Sequence, residues 1–309
     1  MIIPPGQAAH PCFATTERTA SAAGRYWPAR YCHPSATRPP DWRPGSAVRI
    51  GAVNYLNTKP LIHDLEVLAP RAELILDVPS RLADLLAAGE LDVALIPVIE
   101  YFRASNYSVV PNISIASRGP VLSVTLFSKQ PWAGIRRVAL DEGSRTSAAL
   151  AQVLLRKRHG LTPEIVPLPM TAQAEEVDAD AVLLIGDRAM RACLPGFPHA
   201  YDLGQEWHDW TGLPFVYAFW AVRPGVELGE VADALVEAKR RGCARTGEIA
   251  QREAAGLGLD AGFCRRYLSN IIHFDLGPRE QAGLHHYYML ACELGLARRG
   301  AAVTFYEET

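Results

Sequence analysis

From Val48 onward the apolar positions form short runs that alternate with helical patterns. Val48–Val53 (VRIGAV) reads as a first strand, followed by Asn54 to Pro60 (NYLNTKP). Proline sits well in the first turn of a helix, so a helix is expected from near Thr58, carrying Leu61, Ile62 and Leu65. Glu73–Val78 predicts a second strand. Ser80 is a suitable N-cap for a helix with Leu82, Leu85 and Leu86 on one face, stopped by Gly89. Leu91–Val98 (LDVALIPV) is almost continuously apolar, the pattern of a strand buried on both faces.

The alternation continues. Val121–Ser128 (VLSVTLFS) and Arg137–Leu140 read as strands, Gly143-Ser144 as a turn and N-cap, and Thr146–Arg158 as a helix ended by Gly160. Ile165–Leu168, Ala181–Ile185 and Phe215–Val222 (FVYAFWAV) predict further strands, and helices follow near 227–241, 245–256, 260–272 and 279–296. Strands alternating with helices predict mostly parallel sheets covered on both faces. Two runs of such units, separated by long apolar strands, predict an α/β protein of two lobes around a central cleft, with a helical C-terminal tail. Lobe I is expected to comprise 47–119 plus 222–309, and lobe II 120–221. Ligands of open α/β sheets sit beyond the carboxyl ends of the strands, which singles out loops 54–59, 97–101, 118–123, 143–147 and 186–188.

Residues 1–46 stand apart. They hold 8 of the 23 prolines, five arginines and two acids, and show neither a helical nor a strand period. This segment reads as a disordered leader or an extension that takes no part in the fold. It has no apolar signal-like stretch and no amphipathic stripe, so a cytoplasmic location is expected. It is also too rich in proline to form a DNA-binding helix-turn-helix.

Composition narrows the function classes. The 309 residues carry 31 Lys+Arg against 33 Asp+Glu, a net charge of −2, which argues against a nucleic-acid partner bound through bulk basic charge. With 49% hydrophobic residues the chain is not disordered overall, and no apolar run approaches the roughly 18 residues of a membrane span. The six cysteines (12, 32, 193, 243, 264 and 292) form no CxxC pair, so neither a disulfide framework nor a metal site is expected. Several conspicuous residues have plain structural readings. His285-His286 beside Tyr287-Tyr288 are neighbours on a helix, where adjacent residues do not face each other, so one is expected inward and one outward. Arg156-Lys157-Arg158-His159 suits the negative end of a helix dipole. Asp187 reads as a cap of its own helix, and His63 as an ordinary surface or core residue.

The stretches IGAVNYLNTKPL, GELDVALIPVIEY, SRGPVLSV, LDEGSRTSAAL, LLIGDRAM and TGLPFVYAFWAV occur in that order between 48 and 296. Together they resemble chorismate dehydratase of the futalosine route to menaquinone. The resemblance implies a periplasmic-binding-protein type II-like fold used for catalysis. The sister family, 1,4-dihydroxy-6-naphthoate synthase, typically has a Ser-Pro-Cys-Pro-Asn-Asp stretch where this chain reads YLNTKP, which favours the dehydratase. The implied reaction removes the C4 hydroxyl and C3 hydrogen of chorismate, giving 3-[(1-carboxyvinyl)oxy]benzoate, and calls for no metal or organic cofactor. The implied partner is the small molecule chorismate, with no membrane; monomer and homodimer both stay open.

By the same resemblance Asn57 and Ser123 fall on the family's catalytically important Asn and Ser. A doubly anionic substrate also calls for oriented N–H and hydroxyl donors, which helix N-termini supply. Tyr55, Thr58, Gly119, Ser144, Arg145, Thr146 and Ser147 are the corresponding candidates for substrate binding, Arg145 as a bidentate carboxylate clamp. A carboxamide is a very weak base, so the proton acceptor is expected to be the substrate's own enolpyruvyl carboxylate or a water it orients, with Glu100 as an alternative base. The rival from another class is a non-enzymatic solute-binding or sensor protein for a small dianion.

Overall fold

The computed structural model describes residues 47–104 and 106–307; the expected leader lies outside the described residues. The first run comprises β1 (Arg49–Val53), a 3-10 segment (Leu56–Ile62), α1 (Leu65–Leu68), β2 (Glu73–Asp77), α2 (Pro79–Ala87), β3 (Val93–Pro97), α3 (Val98–Arg103), β4 (Ser108–Val109) and β5 (Ile115–Ser117). The chain then crosses into β6 (Val124–Ser128), β7 (Arg137–Asp141), α4 (Arg145–Val153), β8 (Glu164–Leu168), β9 (Ala181–Ile185), α5 (Gly186–Arg191), β10 (His199–Asp202) and α6 (Leu203–Thr211). It returns through β11 (Phe215–Val222) to α7 (Glu230–Ala244), α8 (Thr246–Leu257), α9 (Ala261–Arg266), β12 (Ile272–His273) and α10 (Pro278–Glu293).

Two sheets result, one with the order β12-β5-β11-β3-β1-β2, where β4 also pairs with β11, and one with the order β10-β6-β9-β7-β8. The α/β units are parallel, as expected: β1 with β2 and β3, β7 with β8 and β9. The crossing strands are not. β6 runs antiparallel to β9 and β10, and β11 antiparallel to β3, β4 and β5. A strand arriving from the other lobe enters its sheet at the cleft, beside the carboxyl ends of the parallel strands, and therefore runs against them. This also corrects the expected boundary of lobe II at 221. Phe215–Val222 pairs with β3 from Ala218↔Pro97 to Val222↔Val93, so the return to the first sheet falls before Phe215.

Local signals explain most of the remaining departures. The strand expected from Val121 starts at Val124, because Leu122 holds a left-handed φ of 61°. Asp202 accepts the N–H groups of Val121 (3.0 Å) and Leu122 (2.7 Å), and those of Gly204 (2.9 Å) and Gln205 (3.0 Å) at the start of α6. One carboxylate therefore caps α6 and holds the outgoing crossover. The Asp202-Leu-Gly-Gln205 spacing is a readable N-cap signature, although β10 and α6 are absent from the sequence reading. Helix α2 starts two residues earlier than expected: Val78 is its N-cap, Pro79 occupies the first turn, and Ser80 lies inside. The expected helix near Thr58 is the 3-10 segment, which begins at Leu56 and holds Pro60 internally. His285 and His286 are both exposed on α10, while Gly283, Leu284, Tyr287 and Tyr288 form its buried stripe. Cys243, Cys264 and Cys292 are free thiols, and Cys193 is disulfide-bonded.

Helix α7 presses on the 3-10 segment at Gly242, where a Cβ would stand 2.1 Å from the Pro60 carbonyl oxygen. Only a residue without a side chain permits that approach. Gly242→Ala must push the segment that carries Asn57 outward. It is expected to cost about 1–3 kcal/mol, read as a lower urea midpoint, whereas an unchanged midpoint would mean that α7 can shift freely.

Candidate active site

The carboxyl ends of β1, β3, β7 and β9 face one another across a cleft of about 510 Å³, including its open mouth. Tyr55 and Asn57 line it from the first lobe, Ser144, Ser147 and Gly186 from the second, Ser123 from the turn before β6 and Tyr217 from β11. Of the residues expected to bind or act on substrate, the structure thus brings together Tyr55, Asn57, Ser123, Ser144 and Ser147. Gly186 has a φ of +60°, and a Cβ there would meet the Tyr55 ring at 3.0 Å, so the bare backbone lets the tyrosine lie across the mouth of β9. Among the described residues, every polar group lining the cleft is a hydroxyl, an amide or backbone.

Four candidates lie elsewhere. Arg145 is not directed at the cleft: its guanidinium spans the lobes to Asp84 through two 2.9 Å bonds and to Glu100 at 3.2 Å. A forked guanidinium matches a carboxylate of the protein as well as one of a substrate. The Thr146 hydroxyl accepts the Ile99 N–H at 3.2 Å, also across the lobes. Thr58 is fully buried, with its hydroxyl 3.5 Å from the Asn57 side-chain oxygen. Gly119 takes a φ of +135°, and its carbonyl accepts the Ser117 hydroxyl at 3.1 Å. The alternative base Glu100 is buried between Arg103 (2.7 Å) and Arg145 and is outside the cleft lining.

Helix α4 opens at the cleft, where the Ser144 hydroxyl donates to the Ser147 hydroxyl at 2.8 Å and accepts the Ser147 N–H at 3.4 Å. On the other side, the first N–H of the 3-10 segment, that of Leu56, is taken at 3.2 Å by Asp187 of the opposite lobe. Asp187 therefore caps the facing lobe rather than its own helix. Burial raises its carboxyl above the ordinary range, opposed by the Leu56 N–H and by Arg191 and Lys59. The Ser80 N–H reaches the Gly143 carbonyl at 3.2 Å, a further link between the lobes.

Sequence reasoning missed Tyr267 and Tyr217. Helix α9 ends in a π-helical turn, Tyr267–Ile271, the kind of irregularity that often marks functional sites. It places the fully buried Tyr267 hydroxyl between the two principal candidates. Asn57 Nδ2 donates to Tyr267 Oη at 3.3 Å, and Tyr267 Oη donates to Ser123 Oγ at 2.8 Å. Burial pushes the Tyr267 phenol up, as it does Tyr217 and Tyr55, so all three stay protonated at neutral pH. A tyrosine on a predicted helix signals only that its hydroxyl needs a partner if buried. That the partner lies 144 residues away could not be read from the chain.

This two-lobed α/β arrangement around a cleft has the fold of the periplasmic binding proteins. It superposes on the periplasmic aliphatic sulphonate-binding protein of Escherichia coli with a TM-score of 0.58 at 17% identity, covering 85% of this chain and 93% of that one. A protein from Archaeoglobus fulgidus superposes with a TM-score of 0.64, also at 17% identity, over 81% of this chain and 98% of that one. At such identities the likeness concerns the fold alone. Residues 48–293 match the menaquinone biosynthesis family, and the chain belongs to it. It is 35% identical to the chorismate dehydratase of Thermus thermophilus over 254 residues, 76% of this chain and 92% of that protein. The chorismate dehydratase of Campylobacter jejuni is 27% identical over 254 residues, 80% of this chain and 99% of that protein. Among the described residues, no helix is long and apolar enough to cross a membrane.

Beneath the cleft, burial raises the Asp141 carboxyl to about 6, against the Gly143 N–H at 2.8 Å and the Arg188 guanidinium at 3.7 Å, which pull it down. Folding thus favours the neutral acid. Its contribution to stability is complete below about pH 4, the range of a free Asp, and is lost as pH rises through about 6. Asp141→Asn keeps an acceptor for Gly143 and cannot ionise. Between about pH 4 and 7 the wild type should lose up to about 3 kcal/mol relative to this variant in urea melts. Parallel stability profiles would disprove the assignment.

Proposed function

We propose that this chain is a cofactor-independent hydro-lyase that converts chorismate to 3-[(1-carboxyvinyl)oxy]benzoate and water, serving the futalosine route to menaquinone in the cytoplasm. The observation that carries this reading is the meeting of Asn57 and Ser123 at one cleft, in a chain of the menaquinone biosynthesis family. Its resemblance to chorismate dehydratases extends over most of the chain.

The reaction is redox-neutral and ends in an aromatic ring, so the enzyme needs geometry more than strong reagents. The C3 proton passes to the substrate's own enolpyruvyl carboxylate or to a water held by it. The C4–O bond breaks, and the departing hydroxide combines with that proton as water. A cleft whose lining offers an amide and hydroxyls suits such substrate-assisted proton removal. Asn57 donates and accepts at once and holds the ring hydroxyl and the enolpyruvyl arm in a reactive conformer. Ser123 donates to the departing hydroxyl. Tyr55 packs against the ring, and the α4 end with Ser144 and Ser147 receives a carboxylate, favoured by the helix dipole. Arg145 and Thr146 support the site by holding the lobes together around it.

Purified protein incubated with chorismate is expected to abolish the diene absorbance and yield the aromatic product by mass. Binding without turnover would instead identify a solute binder. Asn57→Ala and Asn57→Asp should both lose most turnover, and Ser123→Ala about 10²–10³-fold in rate, as for removal of one positioned donor. Asn57→Ala should still bind chorismate in calorimetry. Wild-type turnover by Asn57→Ala would refute its role.

A further inference from the structure

Tyr267 carries one hydroxyl proton and stands between two polar partners from different parts of the chain. Asn57 Nδ2 occupies a lone pair of its oxygen at 3.3 Å, and the phenol spends its proton on Ser123 Oγ at 2.8 Å. Ser123, a buried residue that lines the cleft, therefore already accepts a hydrogen bond at Oγ from the protein side. Its own proton has to point elsewhere, and the direction left to it is the cleft. The same contact fixes the Asn57 amide. With Nδ2 turned to Tyr267, Oδ1 lies on the Thr58 side, 3.5 Å from that hydroxyl.

We infer that Tyr267 is a positioning residue that orients the hydrogen bonds of both Asn57 and Ser123, making Ser123 a donor to the group leaving the substrate. The inference rests on the proposed dehydration and deepens it. No proton leaves Tyr267 in this account. Its phenol stays protonated, because burial in this site strongly disfavours the phenolate. As negative charge develops on the departing hydroxide, Ser123 hands it a hydrogen bond, and the Tyr267 hydrogen bond steadies the serine oxygen. The polarity of such a relay matters more than its length. A serine free to rotate would accept from the substrate hydroxyl as readily as donate to it, and half of those orientations do not help the C–O bond to break.

The tests are a mutant cycle and a spectroscopic reading. Tyr267→Phe keeps the buried ring and removes the hydroxyl. It should lower kcat about 10–100-fold, short of the loss for a donor that touches the reacting atoms, with KM changed less than about threefold. In a Ser123→Ala background the same substitution should cost clearly less in kcat than in the wild type, because one of the two groups it acts through is gone and only the Asn57 contact remains. Unchanged kcat in Tyr267→Phe, or an equal loss in both backgrounds, overturns the inference. The second arm needs no turnover and leaves the tyrosine in place. With carbon-13 at the tyrosine Cζ of the unliganded protein, the Tyr267 resonance should shift in Ser123→Ala and in Asn57→Ala. A resonance unmoved by both overturns the relay whether or not chorismate reacts. Failure of the wild type to consume chorismate, with both shifts present, overturns the proposed reaction and leaves the relay standing.

Discussion

The cleft depends on how one carboxylate, Asp202, is satisfied. It is held among four backbone N–H groups, two at the crossover from the first lobe and two at the start of α6. Burial works to neutralise it while those donors work to keep it charged. That convergence holds Leu122 in a left-handed turn that an ordinary side chain otherwise avoids. The turn in turn sets Ser123 at the mouth of β6 instead of within a strand. Without a clamp here, the segment 121–123 would extend into the sheet, and the serine would follow the alternation of its neighbours.

From this fixed point the site is assembled by contacts between lobes. Asp187 of the second lobe caps the 3-10 segment of the first, Arg145 joins α4 to Asp84 and Glu100, and Ile99 donates to Thr146. Two of the residues that a local reading assigns to a substrate are thus occupied in holding the walls together. The polar groups that line the cleft are small ones, Asn57, Ser123, Ser144 and Ser147, set among tyrosines in an environment of low polarity. In such surroundings a hydrogen bond is stronger than in water, and an unmet one is costlier. Orientation of donors then decides the outcome, which is why a relay through Tyr267 carries weight.

Strand and helix positions were legible where burial is two-sided or the cap is local. Val93–Pro97, Ala181–Ile185 and Phe215–Val222 are continuous apolar runs, and Ser144 is an N-cap that bonds within its own first turn. The segments 54–59, 118–123 and 143–147 were legible as the connections beyond such runs, and Tyr55, Asn57, Ser123, Ser144 and Ser147 fall within them. The antiparallel crossings, the extent of the second lobe and the 3-10 character of 56–62 were not, because each depends on what the segment meets after the chain has crossed the cleft.

The amino-acid sequence by itself thus determined the α/β alternation, the cleft loops and, through its ordered motifs, the menaquinone biosynthesis family, since these rest on periodicity and on residues close together in the chain. Only the tertiary structure decided which of the candidate side chains line the cleft and which join the lobes. Arg145 was drawn into an ion pair between lobes, Asp187 became the cap of a distant segment, and Tyr267 came to join Asn57 to Ser123. Hydrogen bonds and ion pairs act over a few ångströms in space, and the partners in these three cases stand between 45 and 210 residues apart along the chain.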